Sequence, residues 1–80
     1  MNNARRKELK EAIETITATM GTVEAVKDEE QESFDNMPES LQCTEKGEAS
    51  EQHIEELDSI FDELTDLESR IQTIIDNELV

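Results

Sequence analysis

Several residue types that stabilise small proteins are scarce in this chain of 80 residues. It has one cysteine, Cys43, so no disulfide can form within the chain, and a lone thiol is typical of a reducing compartment. No apolar run approaches the roughly 18 residues of a membrane span. Residues 1–10 also lack the apolar stretch of a signal peptide. These absences predict a cytoplasmic protein that does not enter a membrane.

Basic and aromatic residues are scarce as well. The chain has 22 acids against 7 bases, a formal net charge of −15, and its aromatic residues are Phe34 and Phe61. Such a charge repels nucleic acid and anionic membranes and attracts basic protein surfaces, so we expect no direct binding to nucleic acid. Up to Lys27 the chain is nearly neutral, whereas eighteen acids and two bases follow. High charge with few aromatics also raises the possibility of disorder, which the periodicity must decide.

Apolar residues recur at helical spacing in two long segments. In the first segment they follow steps of four and three, with Ala12 and Val26 widening the stripe, and Asn2 or Asn3 can cap its start. The spacing predicts helices over about 4–33 and 48–79, with Leu79 extending the second, and rejects disorder. The residues that we expect to pack these helices, and to form a dimer, are Leu9, Ile13, Ile16, Met20, Val23, Ile54, Leu57, Ile60, Phe61, Leu64, Leu67, Ile71 and Ile74.

Equal helix lengths and a short connection predict an all-α fold, an antiparallel two-helix hairpin resembling a coiled coil, as a single domain over 1–80. The bases Arg5, Arg6, Lys7 and Lys10 would then lie beside the carboxyl end of the second helix. A hairpin leaves much of each apolar stripe uncovered. We therefore expect two copies to form a four-helix bundle, although a different protein would cover the same surface.

The connection, residues 34–47, has the pattern of a structured segment. The pattern predicts one short helix that Asn36 caps. Pro38 would lie in its first turn, and the side chain of Glu39 would bond back to the capping residue. Gly47 marks a break before the second helix, which Thr44 or Ser50 can cap. Two interpretations stay open: a packed hairpin end, or a recognition element for a partner, made by Phe34, Asp35, Asn36, Met37, Pro38 and Leu41.

Acids form a row on the second helix, opposite its apolar stripe. The row consists of Glu51, Glu55, Asp58, Asp62 and Asp66, and its members are about one turn apart. Anions at this spacing loosely imitate one phosphate strand of DNA, which favours binding to the basic groove of a nucleic-acid-processing protein. The alternative is a solvated face that keeps the protein soluble, while the apolar stripe does the binding.

Catalytic and metal-binding patterns are missing from the sequence. His53 and Glu56 share a helix face, but the next turn on that side offers Leu57 and Ile60 rather than further ligands. The acidic neighbours of Cys43 disfavour a nucleophilic role for it. With no phosphate-binding glycine loop and no triad spacing, we expect neither an enzyme nor a cofactor or metal.

The connection also carries a family resemblance. The segment DEEQESFDNMPESLQ at 28–42, followed by TEKGE at 44–48 and preceded by NARRKEL at 3–9, resembles small acidic phage and prophage proteins of Firmicutes. The likeness covers nearly the whole chain and departs from the family pattern at Cys43. It implies a phage origin and the cytoplasm of a bacterial host. A counter-defence inhibitor of a host defence or nucleic-acid-processing protein fits that setting, and so does a structural or adaptor protein.

Overall fold

The computed structural model describes residues 1–77 and contains three helices. Helix α1 spans Asn3–Asp35, α2 spans Glu39–Gln42 and α3 spans Glu45–Asp76. In this part of the chain there is no strand, so the predicted all-α class is confirmed, as is the extended hairpin. The predicted extension to Leu79 lies outside the described residues. The hairpin has extents of 59 × 16 × 13 Å and a radius of gyration of 18.0 Å. A compact chain of this size usually has a radius of gyration of about 12 Å, so the hairpin is strongly elongated.

The ends of α1 are set by two asparagines. The Asn2 side chain accepts a hydrogen bond of 2.9 Å from the backbone N–H of Arg5, which confirms one of the two predicted caps. At the other end, Asn36 is the residue after the helix, and its N–H donates to the carbonyl oxygen of Glu32 at 3.0 Å. Asn36 therefore closes α1 instead of capping α2. The residue that precedes α2 is Pro38, which has no side-chain hydrogen bond of this kind.

Gln42 organises the connection between the long helices. Its side-chain amide donates to the carbonyl oxygens of Phe34, at 3.1 Å, and Met37, at 3.2 Å. Phe34 lies in the last turn of α1 and its carbonyl oxygen also accepts from the N–H of Met37 at 3.0 Å. The amide therefore adds hydrogen bonds at the end of α1, where carbonyl groups lack partners within the helix. Thr44 precedes α3 as predicted, but its hydroxyl donates to the carbonyl of Leu41 at 2.5 Å and leaves the first N–H groups of α3 uncapped.

Gly47 lies inside the first turn of α3 and is buried, so the predicted helix break at this residue is wrong. A Cβ atom built on it would lie 2.7 Å from Cα of Gln42 and closer still to its carbonyl group. The glycine is there because the backbone of α2 passes too close for a side chain. Helix α3 consequently begins at Glu45, three residues before the predicted start.

The long helices pack antiparallel along their length, as predicted. The contact surface, which we call the seam, continues on α1 at steps of four and three beyond the predicted apolar set, to Lys27, Glu30 and Phe34. Most seam side chains are half-buried, and within residues 1–77 Ile75 is the only apolar side chain that is buried, at 6% exposure. Two helices alone therefore enclose very little core.

The open end of the hairpin brings the predicted bases to the carboxyl end of α3. The guanidinium of Arg6 donates to the carbonyl oxygen of Asn77 at 3.1 Å. Lys10 lies beside Gln72 and Asp76 in the same region. A cation close to the last carbonyl groups of a helix is favourable for the helix dipole, which explains why bases occupy the amino-terminal turns of α1.

Candidate functional site

A charged side chain of α1 occupies a seam position and pairs with an acid of α3. The ammonium group of Lys27 lies 3.1 Å from a carboxylate oxygen of Asp58, and 27% of the Lys27 side chain is exposed. The hydrogen bond from Lys27 to Asp58, and the charge of that carboxylate, raise the pKa of Lys27 above its ordinary value. Because Asp58 belongs to the predicted acidic row, this pair ties that row to α1 and fixes one point of the helix register.

Two hydroxyl–carboxylate pairs also cross the seam. The buried hydroxyl of Ser50 donates to Glu30 at 2.6 Å, and that of Thr17 donates to Glu68 at 2.8 Å. Polar pairs at seam positions cost packing energy but penalise any shift of one helix along the other, because a shift would leave them without partners. Sequence reasoning missed these pairs and assigned Ser50 as a possible cap of the second helix, whereas Ser50 lies inside α3. The continued spacing of four and three through Glu30 was the available signal.

One side of the hairpin presents apolar residues that the seam does not cover. Ile60, Leu67 and Ile74 recur every seven residues on α3, and Ala12, Thr19 and Val26 do so on α1. Val26, Leu67 and Ile74 are 46%, 43% and 47% exposed. We call this surface the apolar flank, with members Ala12, Thr19, Val26, Ile60, Leu67 and Ile74.

Shallow depressions follow the apolar flank at two levels. Leu67, Ile71 and Ile74 line one beside Arg70, and Val26 lines the other together with His53 and Leu57. The second depression shows that residues of both helices border the flank, so a partner lying there contacts α1 and α3 together. Such a surface is the kind that accepts an additional helix.

The opposite side of the seam is polar. Lys10 lies beside Gln72 there, and Gln31 lies beside Glu51. We call this surface the polar flank, and its residues recur every seven positions, as those of the apolar flank do. Its members are Lys10, Thr17, Glu24 and Gln31 on α1 and Glu51, Asp58, Thr65 and Gln72 on α3. One side of the hairpin is therefore polar and the other apolar.

The five residues of the predicted acidic row are all exposed, and two of them, Glu51 and Asp58, belong to the polar flank. At 100° per residue they lie about 140° around α3 from the apolar flank. Of the five, Asp58 alone forms a salt bridge within the described part of the chain. Asp62 and Asp66 share a depression with Arg70, so the row of anions ends at a cation. The geometry leaves the row accessible but interrupts its negative field at one end.

The predicted recognition residues of the connection fall into two groups. Phe34 and Met37 are half-buried at the hairpin end, and Asp35 accepts a hydrogen bond of 2.9 Å from Gln31. Leu41 is 48% exposed, while Asn36 and Pro38 form the turn between α1 and α2. Packing thus involves the two larger apolar residues, and Leu41 is the apolar side chain that the connection presents to solvent.

His53, Glu56 and Cys43 are the other residues that the sequence offered for metal binding or catalysis. His53 and Glu56 line the depression beside Val26, and Cys43 is an exposed free thiol next to α2. Among residues 1–77, no three histidine, cysteine, aspartate or glutamate side chains come close enough to hold a metal ion. No helix in this range has the length and apolarity that crossing a bilayer requires.

No family model, curated protein or solved structure matches this chain.

Proposed function

We propose that this chain is a non-enzymatic protein-binding module that docks through its apolar flank. The observation that carries the proposal is the exposure of Val26, Leu67 and Ile74 on one side of the hairpin. Contiguous apolar surface bordered by charged residues is typical of protein interfaces, because covering it removes that surface from water. The four-helix bundle expected from the sequence is one way to cover it.

The near absence of a core supports the same proposal. A chain of this size is marginally stable by itself, and small scaffolds usually add a disulfide, a metal or a partner. Cys43 cannot form an intramolecular disulfide, and residues 1–77 hold no metal cluster. A protein partner on the apolar flank would supply the burial that the seam alone does not give.

A second candidate function uses the acidic row. It is a phage-encoded counter-defence inhibitor that presents these carboxylates to the basic groove of a host nucleic-acid-processing or defence protein, in the cytoplasm of a bacterium. The observation that favours it is that Glu51, Glu55, Asp62 and Asp66 are exposed and make no ion pair within the described residues. The cation Arg70 beside the end of the row weakens the likeness to a continuous phosphate strand.

Paired variants separate the two functions. Tagged protein is incubated with a lysate of a Firmicutes bacterium and washed at low and high salt, and retained proteins are identified by mass spectrometry. One variant carries Leu67→Ser and Ile74→Ser on the apolar flank. The matched variant carries Asp62→Asn and Asp66→Asn, which remove two charges from the acidic row with little change of shape. Circular dichroism confirms that both variants keep their helices.

Apolar docking predicts a partner that survives high salt and is lost from the flank variant but kept by the amide variant, because apolar burial is not screened by ions. The acidic row predicts the reverse: a partner that salt elutes and that the amide variant no longer binds. If the flank variant keeps every partner of the wild type, the apolar flank is not the docking surface.

A further inference from the structure

The apolar flank continues across both helices as an uncharged strip. On α1, Thr15, Thr19 and Thr22 lie along it, and each hydroxyl donates to the carbonyl oxygen four residues earlier, at 3.2, 2.9 and 3.3 Å. These hydroxyls are already satisfied, so another surface can cover them without leaving a donor unpaired. Their small side chains also allow the two surfaces to come close.

The two halves of the hairpin differ in charge. Residues 20–61, which form the half nearer the connection, carry thirteen acids and two bases. Residues 1–19 and 62–77, which form the open half, carry eight acids and five bases. Two hairpins packed side by side in parallel would place both strongly acidic halves together. Antiparallel packing sets each acidic half against the less acidic half of the other copy, which lowers the repulsion.

We propose that the apolar flank is covered by a second copy of this chain, packed antiparallel, so that α3 lies against α3 and α1 against α1. This inference rests on the proposed function and specifies its partner. With the two-fold axis midway between Ile60 and Leu67, Ile60 of each copy faces Leu67 of the other. The register set by the Lys27–Asp58 and Thr17–Glu68 pairs then places the axis near Thr22 of α1, so that Thr22 faces its own counterpart. Four helices enclose the core that two helices lack.

Charges along the border of the flank support this arrangement. Glu56, Glu63 and Arg70 follow one another at seven-residue intervals on α3, next to the apolar residues. In the antiparallel dimer Arg70 of each copy faces Glu56 of the other. The two Glu63 side chains lie close to each other near the axis, so the two attractive Arg70–Glu56 pairs oppose a single repulsion. In a parallel dimer α3 packs on α1 instead, and the register set by the Thr17–Glu68 pair brings Arg70 level with Thr15. The identity of the residue opposite Arg70 therefore distinguishes the two orientations.

The native Cys43 allows a direct measurement of orientation. It lies at the connection, exposed and free, about 20 residues along the hairpin from the proposed axis, or about 30 Å at 1.5 Å per residue. Spin labels on Cys43 should therefore be about 60 Å apart in the antiparallel dimer. A parallel dimer would bring them within about 25 Å, since neighbouring helices are separated by about 10 Å. Double electron–electron resonance on the full chain separates these distances.

Sedimentation equilibrium tests the surface itself. Leu67→Asp should raise the dimer dissociation constant by roughly 100-fold or more, because it places a charge inside the interface. The control Thr65→Asp lies on the polar flank and should leave the constant unchanged. Arg70→Glu should weaken the dimer about 5- to 10-fold, and adding Glu56→Arg should restore it. A parallel dimer would show no such rescue.

Each outcome decides the inference. A dimer with distant labels, disruption by Leu67→Asp and rescue by the charge exchange supports it. Close labels overturn the orientation. A wild-type chain that stays monomeric at every soluble concentration overturns the second copy as occupant. In that case the proposed function still stands if the variant with Leu67→Ser and Ile74→Ser loses a partner that the wild type retains at high salt. The proposed function fails as well if that variant keeps every partner.

Discussion

Replacing Gly47 by alanine tests how tightly the connection folds against α3. In a helix, alanine is favoured over glycine by about 1 kcal/mol, so the substitution would stabilise an unobstructed position. Here the new methyl group would overlap the carbonyl group of Gln42 and lie 2.7 Å from its Cα atom. These are backbone atoms, which cannot rotate away as a side chain can. The overlap should cost more than the propensity gain, giving a net loss of about 1–3 kcal/mol.

Gly21 provides a matched control within the same molecule. It lies in the middle of α1, and a Cβ atom there would meet nothing within 4 Å. Gly21→Ala should therefore stabilise the chain by about 0.5–1 kcal/mol through helix propensity and reduced freedom of the unfolded chain. The two alanine variants should differ by about 2–4 kcal/mol. For a domain of this size that corresponds to roughly 10–25 °C in melting temperature.

Thermal and urea unfolding followed by circular dichroism at 222 nm measures both variants. Protein concentration must be the same for all samples, because self-association makes stability depend on concentration. The reasoning is refuted if Gly47→Ala melts at or above the wild type, since Gln42 then cannot lie over the first turn of α3. If Gly21→Ala is destabilising, a surface outside the hairpin packs against that glycine.

Three further substitutions probe the polar contacts. Gln42→Glu replaces the amide donor by an anion facing two carbonyl oxygens and should lower the unfolding free energy in urea by about 1–3 kcal/mol, whereas Gln52→Glu on the exposed surface of α3 should change it little. Ser50→Ala removes a buried hydroxyl that binds a carboxylate across the seam and should cost about 1–2 kcal/mol by the same assay. Asp58 raises the pKa of Lys27 above 10.5, so this pair stabilises fully below that pH and is lost as pH rises beyond it. Between pH 7 and 10.5 the difference in melting temperature between wild type and Lys27→Met should therefore be constant, and above pH 10.5 it should shrink.

The long helices and their antiparallel order were predictable because apolar spacing is a local property of the sequence. The predicted first helix, 4–33, agrees with Asn3–Asp35 to within two residues. The start of α3 was misplaced by three residues because glycine ends many helices. At Gly47 the glycine has a different cause, the close approach of Gln42, and such a contact between segments is not visible in local sequence.

The seam was predicted where it is apolar and missed where it is polar. After Val23 the same spacing leads to Lys27 and Glu30, two residue types that usually face water. Their partners, Asp58 and Ser50, are set by the register of one helix against the other. Composition cannot supply that register, because several acids of α3 lie one turn apart and would serve equally well in a shifted alignment.

The apolar residues of α3 form two overlapping sets, and separating them indicates how many neighbours the helix needs. Ile54, Phe61 and Ile75 alternate with Leu57, Leu64 and Ile71 along the seam, and one partner helix, α1, covers them. Ile60, Leu67 and Ile74 are the members of the apolar flank on α3. Each lies three residues after one of the seam residues Leu57, Leu64 and Ile71. In the sequence the seam residues and the flank residues form one broad apolar stripe. Sequence reasoning treats the whole stripe as one set that packs the helices and forms a dimer. Because a single neighbouring helix covers only a narrow band of its partner, a stripe this broad is the pattern of a helix with two neighbours. Helix α1 is the first neighbour, and the proposed partner on the apolar flank would be the second.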